Sequence, residues 1–223
     1  MRLQVLENFK KQLTKNGFVF KEITPELLSI ENFLLEKDLN TFNEIIESTS
    51  QEEWEVEYHS NLKKFCMIKF GRDDVDNLVA EGKFEITQNW KDKNFNIKDH
   101  EIYRPTYDKI NSLVLLSDNS LELSGFATIQ RMQPGVELKS HTDQKTDPSI
   151  RYATIAYIND DYEGGSLFFQ KLGIEIKPKK GTLLFFPGTE EYEHGVRHVE
   201  GEKIRYVLVG FIKEIDHYEK NKY

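Results

Sequence analysis

Cysteine is nearly absent from this sequence: Cys66 is the only one in 223 residues, so no intrachain disulfide can form, and a reducing, cytoplasmic setting is expected. Cys66 sits within residues 62–68, a run that reads as a strand, and is expected to pack rather than react. Long apolar runs are missing too. No stretch reaches 18 apolar residues, so no membrane span is expected. Residues 1–20 lack the apolar core and small-residue cleavage site of a signal peptide. Positive charge is short: 30 Lys and Arg stand against 38 Asp and Glu, a net charge of −8, which disfavours a broad phosphate-binding surface. Nucleic acid therefore ranks below small molecules and proteins as a substrate. No repeat, low-complexity tract or Pro/Gly-rich linker divides the chain.

What is present suits one soluble domain with a real core: 38% hydrophobic residues, 15 phenylalanines and a mean hydropathy of −0.60. Residues 1–120 are expected to form an N-terminal helical support and a variable segment. Residues 121–215 are expected to form a β-rich catalytic core within the same domain. Leu3, Leu6, Phe9 and Leu13 fall on one side of an expected amphipathic helix. A second helix is read from Ser29 onward, with Leu35, Leu39, Phe42 and Ile46 as its buried face. Residues 53–58 alternate as a strand, and the charged, aromatic stretch 71–107 reads either as a lid or as ordinary surface. Beyond residue 120, short strand-like runs (121–132, 152–158, 166–169, 173–177, 182–187 and 203–212) are separated by turn signals such as Pro134-Gly135 and Asn159-Asp160-Asp161. Evenly spaced strands without intervening helices predict an antiparallel sandwich or jelly roll.

The chemistry is concentrated in His141-Thr142-Asp143, with His194 51 residues beyond Asp143. Alternate residues of an extended segment share a face, so His141 and Asp143 project together while Thr142 points away. His194, after the 182–187 strand, is the candidate third ligand. Two histidines and one carboxylate hold one face of a non-haem Fe(II) and leave the other open. His198 forms His-x3-His with His194, but Gly195 and Gly201 flank the pair and glycine rather than glutamate follows His194, so a zinc-binding helix is not expected. His59, His100 and His217 lie in charged contexts and are expected to be solvated. Lys203 and Arg205 share parity on the last run, and either could hold the distal carboxylate of a dicarboxylic acid; Arg205 is preferred because the strand continues directly from it. Tyr157 is placed to give its hydroxyl to the same carboxylate.

From about Ile129 to Ile212 these residues resemble the catalytic core of the prolyl 4-hydroxylase-type Fe(II)/2-oxoglutarate-dependent dioxygenases. The matching text is Pro134-Gly135 and Leu138 before His141-Thr142-Asp143, then Arg151-Tyr152-Ala153-Thr154 and Tyr157-Ile158-Asn159. It continues through Glu163-Gly164-Gly165-Ser166-Leu167-Phe168-Phe169 and 178–187 to His194, Val199, Gly201, Lys203 and Arg205. The resemblance implies a mainly β fold, a double-stranded β-helix (distorted jelly roll) flanked by N-terminal helices. It implies Fe(II) on His141, Asp143 and His194, 2-oxoglutarate on a basic residue of the last strand, O2 as oxidant and ascorbate as a reductant of the iron. The implied reaction hydroxylates a C–H bond of a protein side chain or free amino acid, coupled to decarboxylation of 2-oxoglutarate to succinate and CO2. The family often has a tyrosine in the strand before His-x-Asp; here the text is Gln130-Arg131-Met132-Gln133, so that contact is expected to be lost or to move to Gln133 or Arg131. Two other readings compete: an oxygenase demethylating nucleic acid, and a cupin-like or non-catalytic metal-binding jelly roll. Neither oligomeric state nor substrate identity is legible.

Overall fold

The computed structural model describes residues 2–49, 55–56, 65–71 and 97–214. Two antiparallel sheets face each other, and three helices cover the outer side of the larger one. Helix α1 (Arg2–Lys15) is followed by a hairpin of β1 (Phe20–Thr24) and β2 (Leu27–Ile30), then by α2 (Glu36–Ser48). Strands β3 (Glu55–Val56) and β4 (Phe65–Gly71) precede α3 (Ile97–Ser117) and β5 (Leu121–Met132). The core continues with β6 (Leu138–His141), a helical turn α4 (Asp143–Thr146), β7 (Ile150–Tyr157), β8 (Glu163–Gly164), β9 (Leu167–Phe169) and β10 (Ile174–Ile176). It ends with β11 (Leu183–Pro187), β12 (His194–Val196), β13 (Val199–Glu200) and β14 (Arg205–Glu214). The larger sheet runs β1-β2-β11-β7-β14-β5-β4-β3, the smaller β10-β9-β12-β6, and β13 pairs with β8.

Alternation along the central strands builds two apolar cores, one on each face of the larger sheet. Ala153, Ile155 and Tyr157 of β7, Leu184 and Phe186 of β11, and Val207 and Val209 of β14 point into the space between the sheets, where they meet Leu167 and Phe169. The opposite parity, including Tyr152, Ala156, Leu183, Phe185, Leu208 and Ile212, packs outward under the helices. Helix α1 contributes Val5, Leu6, Phe9 and Leu13 to this outer core. The Phe9 ring stacks on Phe185 at 4.2 Å, and Tyr152 stacks on the same ring at 4.8 Å. Helix α3 adds Tyr107, Ile110, Leu113 and Val114, and α2 adds Leu39, Phe42 and Ile45. The Asp38 carboxylate caps α2 by accepting the Leu35 N–H at 2.9 Å.

The structure corrects several N-terminal expectations. Leu3 is 64% exposed, and the apolar stripe of α1 runs through Val5 instead. Residues from Ser29 to Leu35 are not helical: Ser29 lies in β2, and Leu35 is the exposed N-cap of α2. That α2 does not begin earlier follows from an edge contact. Leu34 donates its N–H to the Gly181 carbonyl at 3.0 Å, and Gly181 (φ +81°) comes so close that a Cβ there would lie 2.8 Å from the Leu34 oxygen. β1 and β2 extend the larger sheet on one side and β3 and β4 on the other, so the N-terminal part supplies strands as well as helical cover. Of the stretch 71–107, residues 72–96 lie outside the described residues, while 97–107 open α3. Cys66 lies in β4 as expected. No helix among the described residues is long and apolar enough to cross a membrane.

Candidate functional site

β6 and β12 pair antiparallel at the edge of the smaller sheet with His141 directly opposite His194, which brings the two imidazoles to 4.6 Å between ring centroids. β6 ends at His141; Thr142 is still extended (φ −123°, ψ 128°), and Asp143 is the first residue of the α4 turn. Thus the alternation that aligns His141 with Asp143 survives although the strand itself has stopped. Asp143 Oδ1 lies 3.7 Å from His141 Nε2. One ligand atom from each of His141, Asp143 and His194 lies within 4.8 Å of the others.

Backbone carbonyls set the tautomers of both histidines. The Lys139 carbonyl is 3.0 Å from His141 Nδ1, and the Tyr192 carbonyl is 3.0 Å from His194 Nδ1. Each Nδ1 therefore carries the proton and donates, leaving each Nε2 lone pair for a metal. The His194 ring is further held by Phe186 (4.9 Å, edge-on) and Phe169 (5.8 Å). Burial, with His141 beside it, pushes the His194 pKa down to about 3, so the imidazole is neutral, as a ligand must be. Burial pushes the Asp143 carboxyl well above its usual range, against the pull of His141. Its Oδ2 is buried with no hydrogen-bond partner. A buried carboxylate with an orphaned oxygen beside the neutral His194 imidazole and the His141 ring fits a divalent cation, which would stabilise the charge that burial penalises.

The second cluster lies on the inner wall of the larger sheet. Arg205 is 1% exposed, and no carboxylate of the described residues pairs with it. Its guanidinium meets Tyr157 Oη at 3.4 Å and Met132 Sδ at 3.5 Å, and its Nε has no partner. Tyr157 is fully buried. Burial raises its pKa, with Arg205 opposing, so it keeps its proton. A desolvated cation without a counter-ion is costly unless an anion joins it, and the planar fork suits a carboxylate. Phe169, Phe186, Met132 and Tyr157 belong to one apolar cluster, so the triad and Arg205 open onto the same interior.

The remaining candidates separate cleanly. Lys203 is exposed and precedes β14, which starts at Arg205, so the two cations do not share a strand. Arg131 does not replace the missing tyrosine: it is paired in register with Tyr206, whose side chain packs on the outer core, whereas inward-facing Met132 lies opposite Arg205. Gln133 lies beyond the end of β5 and is half-buried. His198 is exposed and sits 3.2 Å from Glu137, apart from the triad. His59 and His217 lie outside the described residues, as does the side chain of His100. Sequence reasoning missed Tyr162, whose buried hydroxyl stands beside Arg205 without making a well-formed hydrogen bond. The available signal was an aromatic residue between the Tyr157 strand and Gly164-Gly165.

Residues 127–213 match the family model of the 2OG-Fe(II) oxygenase superfamily. Among curated proteins none matches the chain. Solved structures share its fold over nearly the whole length. A Burkholderia pseudomallei oxidoreductase of the 2OG-Fe(II) oxygenase family is 16% identical, with 93% of this chain and 89% of that one covered at a TM-score of 0.60. A Pseudomonas putida prolyl-4-hydroxylase is 15% identical, with 95% and 99% covered and a TM-score of 0.62. A Trichoplax adhaerens prolyl hydroxylase, in complex with a hypoxia inducible factor oxygen degradation domain peptide fragment, is 13% identical, with 100% and 94% covered and a TM-score of 0.64. The double-stranded β-helix implied by the resemblance, a form of the jelly roll expected from the strand pattern, is the fold these proteins share with this chain.

Proposed function

We propose that this chain is a 2OG-Fe(II) oxygenase of the prolyl hydroxylase type, a reading supported by the family match over residues 127–213, and that it hydroxylates a protein side chain or a free amino acid. The enzyme is an Fe(II)/2-oxoglutarate-dependent dioxygenase. The observation that carries the assignment of roles is the pairing of the His141/Asp143/His194 triad, in which Asp143 and His194 are buried, with a buried arginine that no carboxylate of the described residues neutralises. In this reading His141 Nε2, His194 Nε2 and an Asp143 oxygen would hold the iron, and Arg205 with the Tyr157 hydroxyl would hold the distal carboxylate of 2-oxoglutarate.

When bound, iron and co-substrate supply the oxidising chemistry, in which 2-oxoglutarate is decarboxylated to succinate and CO2 as dioxygen hydroxylates a C–H bond. The protein's own residues orient and protect. The Lys139 and Tyr192 carbonyls keep the Nδ1 protons in place and so fix the direction of both Nε2 lone pairs. Phe169 and Phe186 wall off His194 from water. Arg205 is anchored at the start of β14, opposite Met132, so the length from its guanidinium to the triad is set by strand register rather than by a flexible loop.

A protein substrate is favoured over nucleic acid by the net charge of −8. The peptide bound to the Trichoplax neighbour, a protein of the same fold, supports the same choice. The test is succinate release and mass gain of one oxygen atom, with Fe(II), 2-oxoglutarate and ascorbate, over pools of peptides, free amino acids and alkylated oligonucleotides. Turnover is expected with the first or second pool. Turnover with oligonucleotides alone would overturn the assignment of substrate class.

A further inference from the structure

The turn after β7 carries Tyr162 back into the pocket of Arg205. Its side chain is 2% exposed and belongs to the apolar cluster between the sheets, yet its buried hydroxyl makes no well-formed hydrogen bond, only a loose approach to Arg205. A buried, unsatisfied hydroxyl costs about 1–3 kcal/mol and calls for an explanation such as a missing ligand. Burial, with Arg205 opposing, pushes its pKa up to about 12, so it stays protonated and can only improve its position by donating or accepting a hydrogen bond. The ring is pinned from outside. Lys177 lies 4.5 Å from its centroid and donates to the Tyr162 carbonyl.

On the inner side the ring edge and the Arg205 stem converge on Gly165. A Cβ at Gly165 would stand 3.0 Å from Tyr162 Cε2 and 3.2 Å from Arg205 Cδ, and its backbone (φ +62°) is held by an N–H donated to the His198 carbonyl at 2.7 Å. Glycine at 165 thus lets the two side chains approach each other. Three polar groups come together there: the Arg205 guanidinium with its unpartnered Nε, the Tyr157 hydroxyl 3.4 Å from that guanidinium, and the Tyr162 hydroxyl, which is close enough to feel both.

We propose that the Tyr162 hydroxyl is a third hydrogen-bonding group of this pocket, donating to the distal carboxylate of the dicarboxylic co-substrate. It thereby sets the preference for a dicarboxylate over a monoacid of equal length. The inference rests on the assignment of Arg205 to 2-oxoglutarate made above. The test is anaerobic calorimetric titration of Mn(II)-loaded protein with 2-oxoglutarate and with 2-oxopentanoate, which carries a methyl group where 2-oxoglutarate has its distal carboxylate. Tyr162→Phe keeps the ring and its contact with Lys177, so the fold is expected to be retained with an unchanged Tm. It should weaken 2-oxoglutarate about ten-fold, the scale of one hydrogen bond to a charged group, and leave 2-oxopentanoate unchanged. Equal loss for both acids would mean that Tyr162 only packs, and would overturn the inference. So would an unchanged 2-oxoglutarate affinity in Tyr162→Phe when Arg205→Met abolishes binding, a result that leaves the Arg205 assignment standing. Failure of wild-type protein to bind 2-oxoglutarate at all would overturn both.

Discussion

Replacing Arg205 by methionine should make the protein bind its co-substrate far less well while leaving it at least as stable without it. Arg205 is among the largest fully buried side chains, and the hydrogen bonds its guanidinium makes to the described residues go to the Tyr157 hydroxyl and the Met132 thioether. Exchanging a buried charge for an apolar side chain of similar volume is commonly neutral or stabilising by about 1–4 kcal/mol. Removing one partner of a buried, hydrogen-bonded charge pair costs about 2–5 kcal/mol in binding, or roughly 30-fold or more in Kd. Wild-type protein with iron and 2-oxoglutarate at 100 times its Kd should gain about 2.7 kcal/mol of stability. At that same concentration a variant weakened 30-fold would gain only about 0.8 kcal/mol. Anaerobic urea unfolding of the iron-loaded protein, with and without 2-oxoglutarate, measures both quantities. The reasoning is refuted if Arg205→Met loses several kcal/mol without co-substrate yet keeps the full co-substrate-dependent gain. Lys203→Ala, at an exposed position ahead of β14, should change neither.

Other perturbations separate the site from its scaffold. Asp143→Ala should cut iron affinity and succinate formation by more than about 100-fold, since losing even an outer partner of a ligand costs about 10–100-fold; iron retention measured after desalting checks this. Asp147→Asn probes an ion pair with Lys213 (2.6 Å) that ties the α4 turn to β14. Burial raises the Asp147 pKa, but hydrogen bonds from Lys213 and Ser149 outweigh it and hold the group at about 2, below its unfolded value of 3.8. Its stabilisation is therefore complete above pH ~4 and lost as pH falls toward ~2. The carboxylate is about one-third exposed, so Asn should cost about 1–2 kcal/mol at pH 7, and chemical denaturation should show the gap to wild type closing across that acid window. Phe42→Ala in α2 should cost about 3–5 kcal/mol in urea unfolding while leaving the 2-oxoglutarate Kd of the folded protein unchanged, because Phe42 packs in the outer core only.

The core was legible where strand alternation and turn chemistry agree. The strand read at residues 121–132 is observed with those ends, and Pro134-Gly135 closes it. The runs at 152–158 and 182–187 match β7 and β11 within two residues. The hairpin of β1 and β2 was not legible, because its edge strand reads FKEIT, with polar residues inside the run and no continuous apolar face. Helix α3 was hidden by Pro105 and by a charged first half, although Tyr107, Ile110, Leu113 and Val114 keep helical spacing after the proline. At the site, His141-Thr142-Asp143 could be read because a two-residue spacing is a local rule. The sequence favours Arg205 over Lys203 because the strand runs on from it, whereas Tyr162 needed a turn whose path depends on Gly164 and Gly165, both at positive φ.

The most direct test is anaerobic titration of Fe(II)-loaded protein with 2-oxoglutarate while watching the visible charge-transfer absorption of a chelated ketoacid. A saturable band in wild-type protein that is missing in His141→Ala is the result predicted from the triad and the Arg205 pocket. No band in folded, iron-loaded wild-type protein would mean that the ketoacid does not chelate the metal, and would contradict the account at its centre.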